Sequence, residues 1–360
     1  MTSYRLDVYD TSGNRQAVIT DFTHLSYSKI VNNPGMIQFG LSGEHELLSD
    51  IQDKWQIEVW RKPDNGDWAR ETTGLFRWLE WKNSDRSSAK IIANGLMSML
   101  DWRIIAWTAG YIDRSKFTST PAETIANTLV KYNATSDATV ANGREREGAI
   151  SGLSVETNGA EGNTIDWFCA YDSLLATLQD LTKIGGGDFD LVKTSSTTYQ
   201  WRWYTGQLGT DKTSDVTFSL KRGNMANPTY IENRTLEKSV AIVGGQGEGV
   251  DREIQIVPGS NYNVTDNNIE MFVGATDVET TSGLITRGNQ KLYETQPIEL
   301  FDFDVLQTPS SQYGTHYQLG DLVTAINPYT LDLYTMKIYS VSVGVKSNGE
   351  ETINVEMTKQ

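Results

Sequence analysis

The stretch from Trp55 to Arg103, WQIEVWRKPDNGDWARETTGLFRWLEWKNSDRSSAKIIANGLMSMLDWR, constrains the fold more than any other part of this chain. Two strand-like runs flank Asn65-Gly66, a pair that accepts the positive φ angles of a tight hairpin. A third run ends near Asn94, and a short apolar helix follows. Side chains alternate along a strand, so Trp55, Ile57 and Val59 share one face and Gln56, Glu58 and Trp60 the other. On the return strand Leu75, Arg77, Leu79 and Trp81 alternate with Phe76, Trp78 and Glu80. Neither face is cleanly polar, whereas an antiparallel meander normally leaves one face to water. Both faces are therefore expected to be covered, by the rest of the chain or by another subunit.

The segments around this stretch extend the β-pattern. Arg5 to Asp10 and Gln16 to Thr20 read as one hairpin; Thr23 to Val31 and Met36 to Leu41 read as a second across Asn32-Asn33-Pro34-Gly35. Glu44 to Ile51 reads as a short helix. After Ile105 the character changes. Thr120-Pro121-Ala122-Glu123 has the form of a helix start, with a capping hydroxyl, a proline at the first helical position and a glutamate three residues beyond the cap. The apolar spacing of Trp167, Tyr171, Leu174, Leu175, Leu178 and Leu181 predicts a second helix over Thr164 to Lys183, stopped by Gly185-Gly186-Gly187. Strands are expected at Asp188 to Lys193 and Tyr199 to Tyr204, the latter packing Trp201 and Trp203 on the helices. From Val216 the pattern returns to β, with one helix inside Thr276 to Thr295 and a closing meander from Gly320 to Met357. Asp53 to Val59 parallels Gly320 to Ile326, and a long strand and a third strand follow each. That echo suggests a duplicated β-unit.

These readings define a mainly β chain with an α+β insert: a first β-barrel-like tube domain over 1–106, the insert over 107–222, and return strands, one helix and a second such domain over 223–360. The 360 residues suffice for several cores. No run of about 18 apolar residues is present, so no membrane insertion by this chain is expected. The N-terminus lacks a secretory pattern, and the single cysteine, Cys169, makes no intrachain disulfide, which points to assembly in a reducing cytoplasm. A net charge of −15 argues against gripping nucleic acid through its phosphates.

Chemical motifs are sparse. His24, His45 and His316 lie in separate segments, with no metal-ligand spacing. Asp302 and Asp304 share a strand face opposite Phe301 and Phe303, which reads as a solvated edge rather than a carboxylate pair across a cleft. The glycine run at 185–187 follows a helix and precedes a strand, the reverse of a phosphate loop, and that at 244–249 carries Glu248 and is followed by Asp251 and Glu253, which would repel phosphate; both read as turns. Cys169 falls within the predicted second helix and reads as buried. No catalytic, cofactor-binding or metal-ligating residue is assigned. Among the tryptophans, Trp60 and Trp78 lie opposite Ile57 and Leu79, and together with Phe76 they form the expected subunit interface.

Several motifs, taken in order, resemble siphophage tail-tip hub proteins and the baseplate hubs of contractile-tailed phages. They are Asn32 to Gly35, the aromatic strand ending at Arg61, Gly95 to Ile105, the helix at Pro121, the glycines at Gly185, Val216 to Ser219 before Gly223-Asn224, and Leu319 to Val323. The resemblance spans nearly the whole chain. It implies a homotrimer whose two tube domains per chain form a pseudo-sixfold ring. That ring would join the tail tube, tape-measure or sixfold distal tail protein to a central fibre or tip, with DNA passing through unbound. It implies a place at the tail tip of the virion. Peptidase, lysozyme or sugar-binding modules of extended relatives are not expected, because the last strand runs to Gln360. Two other readings compete: a host-surface carbohydrate-binding tail protein using exposed tryptophans, and a cell-wall hydrolase.

Overall fold

Period-two alternation builds most of the molecule. The computed structural model describes residues 2–64, 66–84, 87–108, 114–265 and 267–360. Strands β1 (Ser3–Tyr9) and β2 (Arg15–Ile19) form the first expected hairpin, and β3 (His24–Ile30) and β4 (Asn33–Ser42) the second. A single turn, α1 (Leu47–Asp50), leads to the meander β5 (Gln56–Lys62), β6 (Ala69–Asn83) and β7 (Ser87–Gly95). Asn65, half of the hairpin signal, lies outside the described residues. The apolar helix after Asn94 is a 3-10 turn, Leu96–Trp102. Gly95 starts it because any side chain there would collide with the Pro34 carbonyl, 1.6 Å from the Cβ position.

The insert contains β8 (Ser115–Pro121), α2 (Ala122–Ala134), β9 (Leu153–Val155), β10 (Thr164–Cys169), α3 (Leu174–Gly185), β11 (Gly187–Lys193) and β12 (Tyr199–Thr205). Two local expectations are corrected here. The predicted helix over Thr164 to Lys183 is a strand followed by a helix: Thr164 to Cys169 pair with β8, and only Leu174 onward is helical, capped by the Ser173 hydroxyl. Helical spacing of Trp167 and Tyr171 was coincidental: Trp167 is buried from a strand and Tyr171 is exposed at a positive φ. Thr120 does not cap α2 either. Pro121 occupies the cap position without a side-chain hydrogen bond, and Glu123 instead accepts from the backbone N–H groups of Gly159 and Glu161. Trp201 and Trp203 do pack into one core with Leu129, Val130, Leu178 and Leu181 of the two helices.

The chain returns through β13 (Thr217–Phe218) and β14 (Met225–Asn233). A small sheet of β15 (Val240–Gly244), β16 (Ile254–Pro258) and β17 (Glu270–Gly274) then packs α4 (Thr281–Glu294) over its own core of Val243, Val257, Val273 and Leu284. Buried Asp166 of β10 accepts from the Ser119 N–H and from the hydroxyls of Thr280 and Ser282, tying this unit to the insert. Strands β18 (Ile298–Val305), β19 (Leu322–Ile326), β20 (Leu333–Lys346) and β21 (Glu351–Lys359) close the chain.

The two β-regions are fused. Their strands form one sheet in the order β14-β18-β21-β20-β3-β4-β7-β6-β5-β1-β2, with β19 on β20 and β13 on β19, and one hydrophobic core draws on both regions. The seam is the antiparallel ladder of β20 with β3, Ser340 to Lys346 against Ile30 to His24.

Either side of that seam the same unit occurs twice. The neighbour order β5-β6-β7-β4-β3 matches β19-β20-β21-β18-β14, and the strands come in the same chain order. Lys54 N–H bonds the Phe76 carbonyl and Phe76 N–H that of Trp55; Gly320 N–H bonds Ile338 and Ile338 N–H bonds Asp321. Both long strands carry a bulge at the next residue, Arg77 and Tyr339. Lys54 and Gly320 both take positive φ. These matches correct the echo by one residue: Lys54 corresponds to Gly320, and buried Ile57 to buried Val323.

A second fastening joins the halves. The Arg61 guanidinium on β5 donates to both oxygens of Glu351 on β21, at 2.9 and 3.0 Å, and to the Tyr313 carbonyl. Tyr4 donates to the same carboxylate; burial and that negative charge push its phenol well above the ordinary range. Removing one partner of such a pair strands a charge in low dielectric. Glu351→Leu should therefore cost about 3 kcal/mol, while Arg61→Leu/Glu351→Leu should cost less than the single change. Urea melts of the three proteins decide this, and a single variant as stable as the parent would refute it.

Candidate functional site: open strand edges and an aromatic overhang

The residues expected at a subunit interface do not form one patch. Trp60 faces away from the core, donates to the Glu58 carboxylate at 3.0 Å and lies under the Arg5 guanidinium. Phe76 lies on the opposite side, where it opposes Ala93 and packs against the chain's own core. Trp78 is on the same side as Trp60, but further along β6, exposed, with Lys90 over its ring. The bulge at Arg77 separates the sides of Phe76 and Trp78.

What the sequence reading did not single out is the overhang itself. β6 spans 15 residues and β5 only seven, so β5 pairs with β6 no further than Leu75. Beyond it, β6 holds β7 on one edge and no strand on the other among the described residues. Leu79 and Trp81 are exposed there on the core-facing side. β14 is likewise a terminal strand, bonded among the described residues to β18 alone. Open edges carrying large apolar side chains invite pairing with another chain. The signal available in the sequence was the length mismatch between the two strands of the meander.

Behind β5 the sheet meets the insert through a buried charge cluster. Glu58 accepts from Lys193 at 2.8 Å and from Arg70 at 3.1 Å, and the Glu58 and Lys193 side chains are both nearly inaccessible. Burial alone would raise the Glu58 carboxyl, but the Lys193 hydrogen bond and the Lys193 and Arg70 charges hold it below its ordinary value. Lys337 pairs with Asp188 at 2.5 Å, and Asn32 bridges the β3–β4 turn to Asp188 and the Phe189 N–H. The Asn32 to Gly35 motif is thus where the insert docks.

Chemical candidates stay apart. His45 and His316 accept local backbone N–H groups, and among the described residues no group of three or more His, Cys, Asp or Glu is placed to hold a metal. Asp304 accepts from Asn227; the side chain of Asp302 lies outside the described residues. Cys169 ends a strand rather than lying in a helix, and burial pushes its thiol up to about 12. The glycines at 244–249 form a turn, as expected. A cleft of about 530 Å³ between β5, the 3-10 turn and the insert is lined by Lys54, Arg77, Trp102 and Arg103. Asp53 pairs with both Lys54 and Arg77, and Arg103 is bonded to the Gly148 and Ala149 carbonyls, so the basic groups are already engaged.

The architecture is mainly β, with open strand edges at β6 and β14 among the described residues. The prophage MuSo2 43 kDa tail protein from Shewanella oneidensis shares the fold, with a TM-score of 0.62 at 13% identity over 99% of this chain and 98% of that one. So does the prophage tail protein gp18 from Listeria monocytogenes, at 0.59 and 11% over 99% and 94%. A chain of the Francisella PdpA–VgrG complex gives 0.55 and 10%, covering 100% of this chain and 53% of that one. No curated protein sequence matches. The molecule has the mainly β fold of these phage tail proteins. The model of the Siphovirus ReqiPepy6 Gp37-like protein family matches residues 5–357, and the chain belongs to that family.

The Glu58 cluster yields a pH prediction. A carboxylate whose folded-state pKa is depressed stabilises fully above its unfolded value, about 4.5, and loses that contribution as pH falls through the lower folded value. The melting temperature of the parent should therefore drop more steeply below about pH 4.5 than that of Glu58→Gln. Parallel pH profiles for the two proteins would refute the pairing as a source of stability.

Proposed function

We propose that this protein is the hub of the tail tip, a ring of three chains that continues the tail-tube channel and adapts a sixfold tube or distal tail ring to a threefold tip or central fibre. The observation that carries the reading is the internal repeat: two copies of one five-strand unit per chain, in the same strand order, supply six similar units in a trimer. The proposed neighbours are the tail tube or tape-measure protein, the sixfold distal tail protein, and a central fibre or tip protein.

The mechanism is steric. The ring holds the channel in register, and DNA passes without specific contact. A net charge of −15 opposes phosphate binding, which keeps passage non-adhesive. Trp78 is retained as a subunit contact; Trp60 and Phe76, already engaged within the chain, contribute by holding the sheet that presents it.

Native mass spectrometry of the purified protein tests the stoichiometry: a trimer is expected, and a monomer at micromolar concentration would contradict it. Large aromatics at subunit contacts dominate binding energy. Trp78→Ser should thus weaken trimer association at least about tenfold while leaving the melting temperature of the dissociated chain unchanged. A variant that loses its fold and its association together would show Trp78 to be structural.

A further inference from the structure

We infer that the open half of β6 in one subunit adds onto the open edge of β14 in a second copy, in the register that the β20–β3 ladder uses within each chain. This rests on the ring reading above and specifies its seam.

The two long strands have the same layout. β20 pairs with β19 over Leu333 to Lys337 and then, along the same edge, with β3 over Ser340 to Lys346. β6 pairs with β5 over Ala69 to Leu75, and among the described residues no strand pairs with the edge that follows. β14 corresponds to β3, since Tyr230 opposes Phe301 where Tyr27 opposes Ile37. Each repeat therefore offers one long strand and one outer strand. One such pair is joined within the chain, and the other pair is left over. The leftover edges cannot meet in their own chain, because β18, β21, β20, β3, β4 and β7 lie between them. A second copy of this chain supplies the matching strand, in a head-to-tail contact of the kind that closes into a ring.

The register follows from the correspondence. Val343 opposes Tyr27 in the existing seam, Ser342 opposes Ser28 and Gly344 opposes Ser26. Carried across, Trp81 faces Tyr230, Glu80 faces Ile231 and Lys82 faces Thr229. The exposures agree with a seam waiting to be covered. Val341 and Val343 are 0% and 1% exposed, whereas their counterparts Leu79 and Trp81 are 36% and 53% exposed. Ile231 on the receiving edge is 46% exposed. Paired, Trp81 and Tyr230 make an aromatic cross-strand pair on the side of the cores.

Disulfide trapping tests the register. The Val31 N–H bonds the Tyr339 carbonyl, so the next pair inward, Ile30 with Ser340, and every second pair after it, including Ser28 with Ser342, are the closely spaced kind without mutual hydrogen bonds. Glu80→Cys/Ile231→Cys places thiols at the equivalent position, and buried Cys169 does not compete. Mild oxidation with diamide should give covalent dimers and trimers on non-reducing gels, and Lys82→Cys/Thr229→Cys should do the same if the first pair disturbs folding. Leu79→Cys/Ile231→Cys, on opposite faces, should give none. Trimers by native mass without in-register cross-links, or with cross-links from the opposite-face pair, would overturn this seam and leave the ring intact. A monomer by native mass would overturn both.

Discussion

The ladder between β3 and β20 is the constraint on which the rest of the structure depends. Backbone groups along a strand edge must be paired or left to water, and an apolar edge left open is a liability. Here seven residues of the second repeat satisfy an edge of the first, bringing Val341, Val343 and Val345 over Leu25 and Tyr27 in one core. The ladder turns two modest meanders into a single sheet. It also fixes which edges remain, because the long strand of the first repeat and the outer strand of the second have no counterpart left in the chain.

The insert shares an apolar core with Leu75 and the 3-10 turn of the first β-region, and polar contacts fix it against the sheet as well. Glu58 with Lys193, Asp188 with Lys337, and Asn32 with the start of β11 are directional contacts, each with one satisfied geometry. Buried pairs of this kind add little net stability, since desolvation offsets much of the attraction. What they do here is orient one body against another. Fixed orientation is what the proposed ring would require, and it explains charged residues on the sheet face where water would ordinarily be met.

Much of this was legible in the sequence, for identifiable reasons. Strong alternation at Trp55 to Val59 and Thr335 to Val343 reported the sheet correctly, as did the turn signals at Asn32 and Gly349, whereas Gly35, expected in the same turn, lies within β4. Helical spacing misled at Trp167 and Tyr171, because a six-residue strand and the bend after it happened to place apolar side chains at a helical interval; pairing with β8 decided the matter, and pairing is not local. The repeat was visible but slipped by one residue, since the loop before Gln56 and that before Leu322 differ in everything except backbone shape. The small sheet of β15, β16 and β17 under α4 was not read as a unit, and β17 itself was not expected. Of the residues proposed at the subunit contact, Trp78 is expected from its strand face alone, whereas Leu79 and Trp81 become relevant only once β6 is known to outrun β5.

Quasi-equivalence of the two repeats is the central claim, and electron microscopy of the purified assembly viewed down its axis tests it most directly. The account predicts six similar β-units around the channel wall, with threefold symmetry apparent only at the periphery where the inserts lie. A threefold channel wall lined by one repeat, with the other displaced outward, would contradict it.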